Sequence, residues 1–344
     1  MGMEYRRLGG SGARVSAYGL GTMMFGASGG QGPEEADRMV GLALDRGINL
    51  IDTADAYAGG ESERILGQVL KGRRDQVFLA TKFHMPTGPG PNDRGNSRLH
   101  IMRAVEASLS RLDTDHIDLY QVHRPDPDCD IDETLGALTD LVRQGKVRYI
   151  GTSAFPPELL VESAWTAEKR LRERFVAEQA QYSVLNRAVE SGVLPTCRRL
   201  GMGVLVWSPL AGGWLTGKYR RGQEFPAGSR AAEQKVTVRF FSDSPENARK
   251  YDIVEQLEQL AESRGLSLLQ LALAWVDTHP AITSTLLGPR TAAQLGGLLD
   301  AAGATLDAEA LDLIDLLLPP GADTNPADLG YTPPWISDAS RRRR

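Results

Sequence analysis

Short apolar runs alternate along the chain with longer stretches whose apolar residues recur every third or fourth position, the periodicities of strand and helix. VSAYGLGTMMFG (15–26) predicts a strand with a glycine-rich exit. PEEADRMVGLALDRG (33–47) predicts a helix, with Pro33 and acids in its first turn and Gly47 at its stop. Seven further strands are predicted at INLIDTA (48–54), QVFLATKF (76–83), HIDLYQVH (116–123), VRYIGTSAF (147–155), FVAEQAQYS (175–183), MGVLVWSPL (202–210) and ITSTLLG (282–288). Between them lie helical patterns at 61–72, 97–112 and 132–146, one starting near Pro156, one ending near Leu200, and a pair at 245–265 and 266–279. Two more follow the last strand, at 291–303 and from about Leu306 to Leu318.

Strands that each lead into a helix require parallel pairing, and eight such units without a break predict one closed (α/β)8 barrel, a TIM barrel, rather than an open doubly wound sheet. No linker divides the chain, so residues 1–318 are expected to form a single domain. YRRLGGSGAR, before the first barrel strand, predicts a β-hairpin turning at GSG and plugging the barrel's bottom. The 211–244 segment, rich in Gly, Arg and Ser, reads as a long loop on the barrel's C-terminal face. Residues 319–344, rich in Pro, Gly and Asp, are expected to form an irregular or partly disordered tail. Tyr331 and Trp335 within it are expected to fold over the barrel mouth, to stay disordered, or to contact another subunit.

Composition narrows the function classes. The 344 residues carry 39 basic and 44 acidic side chains, a net charge of −5, which provides no general attraction to nucleic acid or acidic membranes. Only the terminal RRRR is strongly basic, and it reads as a solvated tail. No apolar run is long enough to span a bilayer, and the start of the chain lacks a signal peptide's apolar core. Cys129 and Cys197 form neither a metal pair nor a disulfide framework, so a reducing cytoplasm is expected.

In a barrel of this kind, chemistry sits where the strands end. The second strand delivers Asp52, with Tyr57 just beyond; the third delivers Lys82 and the fourth His123. Singly, each has a plainer role: the acid as a helix cap, the tyrosine as packing, the lysine as a solvated charge, the histidine as a structural hydrogen bonder. Together they suit one reaction. A carbonyl that accepts hydride becomes an alkoxide and needs a proton. Tyrosine can supply it, but its reference pKa near 10 is high for the task. A nearby ammonium favours the phenolate, an aspartate fixes that ammonium, and a histidine polarises the carbonyl oxygen. The five histidines show no zinc-ligand spacing, and no nucleophile elbow is present, so the reductant is expected to be a cofactor. Asp55, between the strand acid and the tyrosine, is expected to serve the loop backbone.

These residues, in IDTADAY, LATKF and DLYQVH, resemble the aldo-keto reductases, as do GLGTMMFG, LVRQGKVRYIGTS, WSPLAGGWLTGKY and LLGPRTAAQL. The resemblance covers about Tyr5 to Leu318. GPNDRGNSRLHI and the long 211–244 loop resemble the branch related to potassium-channel β-subunits and sugar-aldehyde reductases. The resemblance implies a barrel that binds NADPH across its C-terminal rim without a Rossmann motif. It implies Asp52, Tyr57, Lys82 and His123 as the catalytic set, with Tyr57 as general acid. It also implies cofactor contacts from Thr22, Met23, Asp52, Ser153, Gln179, Trp207, Ser208, Leu210, Gly212, Lys218, Gly288, Arg290 and Gln294. Ser153 and Gln179 would hold the nicotinamide carboxamide and Trp207 would stack on its ring. Ser208, Leu210, Gly212 and Lys218 would follow the pyrophosphate. Gly288, Arg290 and Gln294 would hold the adenosine 2′-phosphate and adenine, with the planar Arg290 donors matching phosphate oxygens.

Two departures stand out: Ala154 replaces a usual asparagine beside Ser153, and Gly297-Leu298 replaces a frequent Glu-Asn. Met24, Phe25, Tyr57, Phe83, His123 and Arg124 are expected to line the substrate pocket. Arg124 is placed either toward an anionic substrate group or in a pair with a loop acid. The activity implied is NADPH-dependent reduction of a small-molecule aldehyde or ketone. The alternatives are a reductase of a sugar or nucleotide-linked keto-sugar, and an NADPH-sensing regulatory subunit. No nucleic-acid or membrane partner is expected, and the oligomeric state is left open.

Overall fold

The computed structural model describes residues 2–27, 29–233 and 244–341, with only the backbone at 230, 233 and 335. Part of the 211–244 loop, the Trp335 side chain and the last three arginines therefore lie outside the described residues. The chain opens with an antiparallel hairpin, β1 (Tyr5–Arg7) and β2 (Arg14–Ser16), with Tyr5 opposite Ser16. Five strand–helix units follow: β3 (Tyr18–Gly21) and α1 (Pro33–Asp45), β4 (Leu50–Asp52) and α2 (Glu61–Val69), β5 (Phe78–Phe83) and α3 (Arg98–Leu112), β6 (Ile117–Val122) and α4 (Ile131–Arg143), β7 (Val147–Ser153) and α5 (Pro157–Arg170). The chain continues through β8 (Ala177–Gln181), α6 (Val193–Leu200), β9 (Gly203–Trp207), the short α7 (Arg230–Glu233), α8 (Pro245–Ser263) and α9 (Leu268–Thr278). It finishes with β10 (Ile282–Leu287), α10 (Ala292–Ala301), α11 (Ala308–Leu317) and the single turn α12 (Pro334–Ser337).

The strands β3 to β10 close into a barrel in chain order, with β10 hydrogen-bonded to both β3 and β9 and every barrel pair parallel. This is the (α/β)8 barrel that the alternating pattern predicts. Strand alternation divides its core in two. Side chains facing outward pack under the helices in one large apolar cluster. Leu50, Ala80, Leu119, Ala177, Leu205 and Leu286 face inward at the bottom, where Leu8 and Val15 of the hairpin complete a second, smaller cluster. The hairpin therefore stoppers the barrel, as its sequence suggests. Its turn needs a glycine at position 9: φ is +56°, and a Cβ there would come within 2.5 Å of the Gly201 carbonyl oxygen.

Several strands stop short of their expected ends, among them β3 at Gly21, β4 at Asp52 and β8 at Gln181. The apolar runs continue to Phe155 and Leu210, but β7 ends at Ser153 and β9 at Trp207. Ala154 and Ser208 adopt φ values of 58° and 59°, a left-handed conformation that breaks the ladder and turns the chain onto the rim. The tail, expected to be irregular, carries the α12 turn and is tied to the barrel face. Thr324 N–H donates to Leu185 O at 3.0 Å, and Gly330 N–H to Gln181 Oε1 at 3.0 Å. Lys250 of α8 and Asp328 form a fully buried ion pair at 2.6 Å.

Candidate active site

The C-terminal ends of the strands open into a cavity of about 640 Å³. Its floor is set by the inward residues one step above the apolar plug. Alternation places Asp52 above Leu50, Lys82 above Ala80, Gln121 above Leu119, and Gln179 above Ala177. Lys82, wholly buried, directs its three N–H donors at Asp52 Oδ1 (2.5 Å), the Thr53 carbonyl (2.7 Å) and the Tyr57 hydroxyl (3.3 Å). Burial on its own would push the Lys82 pKa down, but the charges of Asp52 and Tyr57 outweigh it and the net shift is upward. Lys82 therefore stays an ammonium.

Asp52 is a hub. Its second oxygen accepts from Gln179 Nε2 at 2.8 Å and Gln121 Nε2 at 3.0 Å. Three strands thereby hold the carboxylate that holds the lysine. Tyr57 lies at the start of a tight turn, Tyr57–Gly60, leading into α2. Its ring meets His123 edge-on, with centroids 6.0 Å apart. His123 is pushed well below the ordinary histidine range by burial first, then by the charges of Lys82 and Arg124, so it stands as a neutral imidazole at neutral pH. Its Nδ1 is buried without a hydrogen-bond partner. The four residues from three strand ends thus meet at one point.

The same cavity is lined by Thr22, Met23, Met24, Ser153, Gln179 and Trp207. Ser208, Leu210, Gly212, Lys218, Gly288, Arg290 and Gln294 line it as well. Several already have partners. Ser153 Oγ donates to Gln179 O (3.0 Å) and accepts from Arg124 Nη1 (3.4 Å). Gln294 Oε1 accepts from Arg290 N–H (2.8 Å), and its own N–H is capped by Thr291, so its side chain finishes the α10 terminus. The Trp207 indole N–H has no partner.

A cavity of this volume, lined by glycines, by Lys218 and Arg290 and by the Trp207 indole, fits an anionic dinucleotide. No G-x-G-x-x-G turn is needed for this, because the cradle is built from rim loops.

Two expected pocket residues are not on its wall. Phe83 follows the inward Lys82, so alternation turns it outward, where it is fully buried against Tyr120 with ring centroids 4.8 Å apart. Phe25 is likewise part of the outer core. Met24, Tyr57, His123 and Arg124 do line the cavity. Asp55 is buried, and its N–H donates to Lys82 O at 3.1 Å, while the Ala56 backbone N–H bonds its carboxylate. Sequence reasoning misses Gln121 and Gln181. Both sit at inward positions of their strands, so strand alternation points to them.

The family model described as the aldo/keto reductase family matches residues 17–318, all eight barrel strands and the helices up to α11. The chain belongs to the aldo/keto reductases. It is 42% identical over 334 residues to the uncharacterized oxidoreductase YrpG of Bacillus subtilis (strain 168), an alignment covering 94% of this chain and 98% of that one. It is 37% identical over 328 residues to a probable voltage-gated potassium channel subunit beta of Oryza sativa subsp. japonica, covering 93% and 95%. A protein of the same description from Arabidopsis thaliana is also 37% identical, over 324 residues, 92% of this chain and 94% of that one. This aldo/keto reductase is thus an oxidoreductase with the family barrel, and the family generally uses NAD(P)H. Among its described residues, no helix is long and apolar enough to cross a membrane.

Proposed function

We propose that this aldo/keto reductase reduces a small aldehyde or ketone to the alcohol with NADPH, and that Tyr57 is the general acid. The observation that carries the reading is the Lys82 ammonium, fixed by Asp52 at 2.5 Å and donating to the Tyr57 hydroxyl at 3.3 Å on the cavity wall. When bound, the nicotinamide supplies a hydride to the carbonyl carbon. Tyr57 gives its hydroxyl proton to the carbonyl oxygen, and Lys82 stabilises the negative charge left on the phenolate. Neutral His123 donates a hydrogen bond to the same oxygen and aligns it. Trp207 covers one face of the nicotinamide, Ser153 and Gln179 orient its carboxamide, and Lys218 and Arg290 meet the phosphates. Arg290 favours the 2′-phosphorylated cofactor. The two free cysteines agree with a reducing cytoplasm.

Arg124 favours substrates that carry an anionic group, including phosphorylated or nucleotide-linked sugars, since its guanidinium lines the cavity beside His123. A second reading, a nicotinamide-sensing subunit, draws support from the relatives described as potassium channel β-subunits. Mixing protein, NADPH and a carbonyl panel tests the first: absorbance at the nicotinamide band falls, Tyr57→Phe lowers turnover by about 100- to 10,000-fold, and cofactor binding persists. Full turnover by Tyr57→Phe rules out this acid. One slow turnover with the cofactor retained favours the sensor.

A further inference from the structure

Asn96 is 3% exposed and lies off the cavity wall, yet each of its polar groups is bonded. Its side-chain Nδ2 donates to the Arg124 carbonyl at 3.1 Å, and its Oδ1 meets His84 Nδ1 at 2.9 Å. Its backbone N–H donates to Asp126 Oδ2 at 3.0 Å, and its backbone carbonyl accepts from Thr134 Oγ1 at 2.9 Å. A carbonyl oxygen only accepts, so the amide is fixed with Nδ2 toward Arg124. Oδ1 is then the acceptor, and His84 carries its proton on Nδ1.

One residue thereby joins two rim loops. Asn96 and His84 belong to the loop from β5 to α3, Arg124 and Asp126 to the loop from β6 to α4, and Thr134 to α4 itself. The first loop is strained at His84, whose φ is +122°. Such a backbone persists only where its surroundings over-determine it. Here the bond from Gly95 N–H to His84 O at 2.8 Å and the bond between the imidazole and Asn96 hold it.

The group that this brace holds on the substrate side is Arg124. His123 N–H still bonds to β5, at Phe83 O, 2.9 Å away. Pro125, two residues on, has no N–H to give. Between them the Arg124 guanidinium folds back and lines the cavity, with Nη1 donating to the His123 carbonyl at 2.7 Å and to Ser153 Oγ at 3.4 Å. Because the guanidinium is bonded to its own preceding peptide, its direction follows the backbone. Asn96 grips that backbone from the following peptide.

We propose that Asn96 is a positioning residue for substrate specificity: it holds Arg124 where the guanidinium meets an anionic group of the carbonyl substrate. This rests on the reading of Arg124 as the partner of that anion.

The test uses two aldehydes alike in shape and different in charge, 4-formylbenzoate and its methyl ester, with NADPH. Wild-type kcat/KM should favour the anion by on the order of tenfold, the scale of one charge-assisted hydrogen bond. Arg124→Met should abolish the preference. Asn96→Ala should lose most of it through a raised KM for the anion, while kcat for the ester stays within about twofold of the wild type. Asn96→Leu, closer in volume to asparagine, should do the same without leaving a cavity. The double variant Asn96→Ala/Arg124→Met should lose no more of the preference than Arg124→Met alone, since Asn96 acts through the arginine. A residue that merely braced the loops would give losses that add.

Asn96 variants that keep the anion preference, or losses that add, overturn this inference and leave Arg124 in its role. A wild type without the preference, or an Arg124→Met that keeps it, removes the basis of both.

Discussion

Lys82 and Asp52 form an ion pair that solvent scarcely reaches, 2.5 Å apart with side chains 0% and 4% exposed. Such a pair stores its value in completeness: with one partner removed, the other is an uncompensated buried charge. Lys82→Met should therefore destabilise the fold by about 3 to 5 kcal/mol in denaturant unfolding and abolish turnover. Asp52→Asn should cost about as much, because it also confronts the Gln121 and Gln179 amides with an amide nitrogen or a single acceptor. The double variant separates structure from chemistry. It should recover much of the lost stability, since no charge is left stranded, while remaining inactive. Recovery of turnover in the double variant would contradict the role given to the lysine.

His123 gives a dependence on acid. Its imidazole is held well below the ordinary histidine range, by burial and then by Lys82 and Arg124. The unfolded chain therefore takes up the proton first as pH falls, and stability declines below about pH 6.5 by at most about 1.4 kcal/mol per unit. His123→Gln should flatten this slope. Buried histidines elsewhere, such as His84 and His279, are also shifted down, so the informative quantity is the difference between the wild type and this variant across about pH 5 to 7. A difference that stays constant with pH would assign the acid sensitivity to the other histidines.

The barrel is legible because strand and helix periods differ and repeat in strict alternation; eight runs of the first kind, each followed by the second, leave few topologies open. The same alternation makes Asp52, Lys82 and His123 legible, since each lies at an inward position where its strand meets the rim, whereas Gln179 is legible only through the family resemblance. Phe83 reads as a pocket residue only through its closeness in sequence to Lys82, although the period of two sends neighbours to opposite faces. Gln121 escapes notice although it obeys that rule, because a glutamine inside a strand carries no chemical signature until Asp52 is found beside it. The strand ends at Ser153 and Trp207 depend on left-handed φ values at an alanine and a serine, residues that carry no local signal for that conformation. The Lys250–Asp328 pair joins residues far apart in the chain, and nothing local to either marks it.

Ala154 invites a gain. Its φ of 58° is unfavourable for alanine by about 1 kcal/mol, whereas asparagine and glycine tolerate the left-handed region. The turn is held below by Glu178, which accepts from Thr152 Oγ1 and Phe155 N–H and is pushed up to about 8 by burial. Ala154→Gly should raise or preserve the thermal midpoint through relief of strain, offset by glycine's larger chain entropy. Ala154→Asn should raise it without that offset. Because Ser153 next door lines the cavity, the asparagine should also tighten NADPH binding, measurable by quenching of protein fluorescence. Unchanged affinity with a raised midpoint would place the introduced amide away from the cofactor.

The tail sits where it can govern access. Gly330 lies against Trp207 so closely that a Cβ would come within 2.5 Å of the indole edge, and the Arg124 guanidinium is 3.4 Å from the same point. Below it, Asp328 anchors the tail to α8 through Lys250. Asp328→Ala removes the counter-charge at 2.6 Å from a wholly buried ammonium and should cost about 3 to 5 kcal/mol. Part of that loss is expected to appear as local opening, since the other ties of the tail beyond Pro319 are individual hydrogen bonds and the exposed Arg341–Asp128 pair. Limited proteolysis should therefore cut the tail of Asp328→Ala sooner than that of the wild type, before the barrel itself unfolds. Gly330→Leu makes the complementary test. It should leave the global midpoint nearly unchanged, since the tail can lift, but raise KM for carbonyl substrates as the indole or the tail gives way. If both variants kept wild-type KM and protease resistance, the tail would be a passenger on the barrel face, whereas a shift in KM from either places it in the substrate wall.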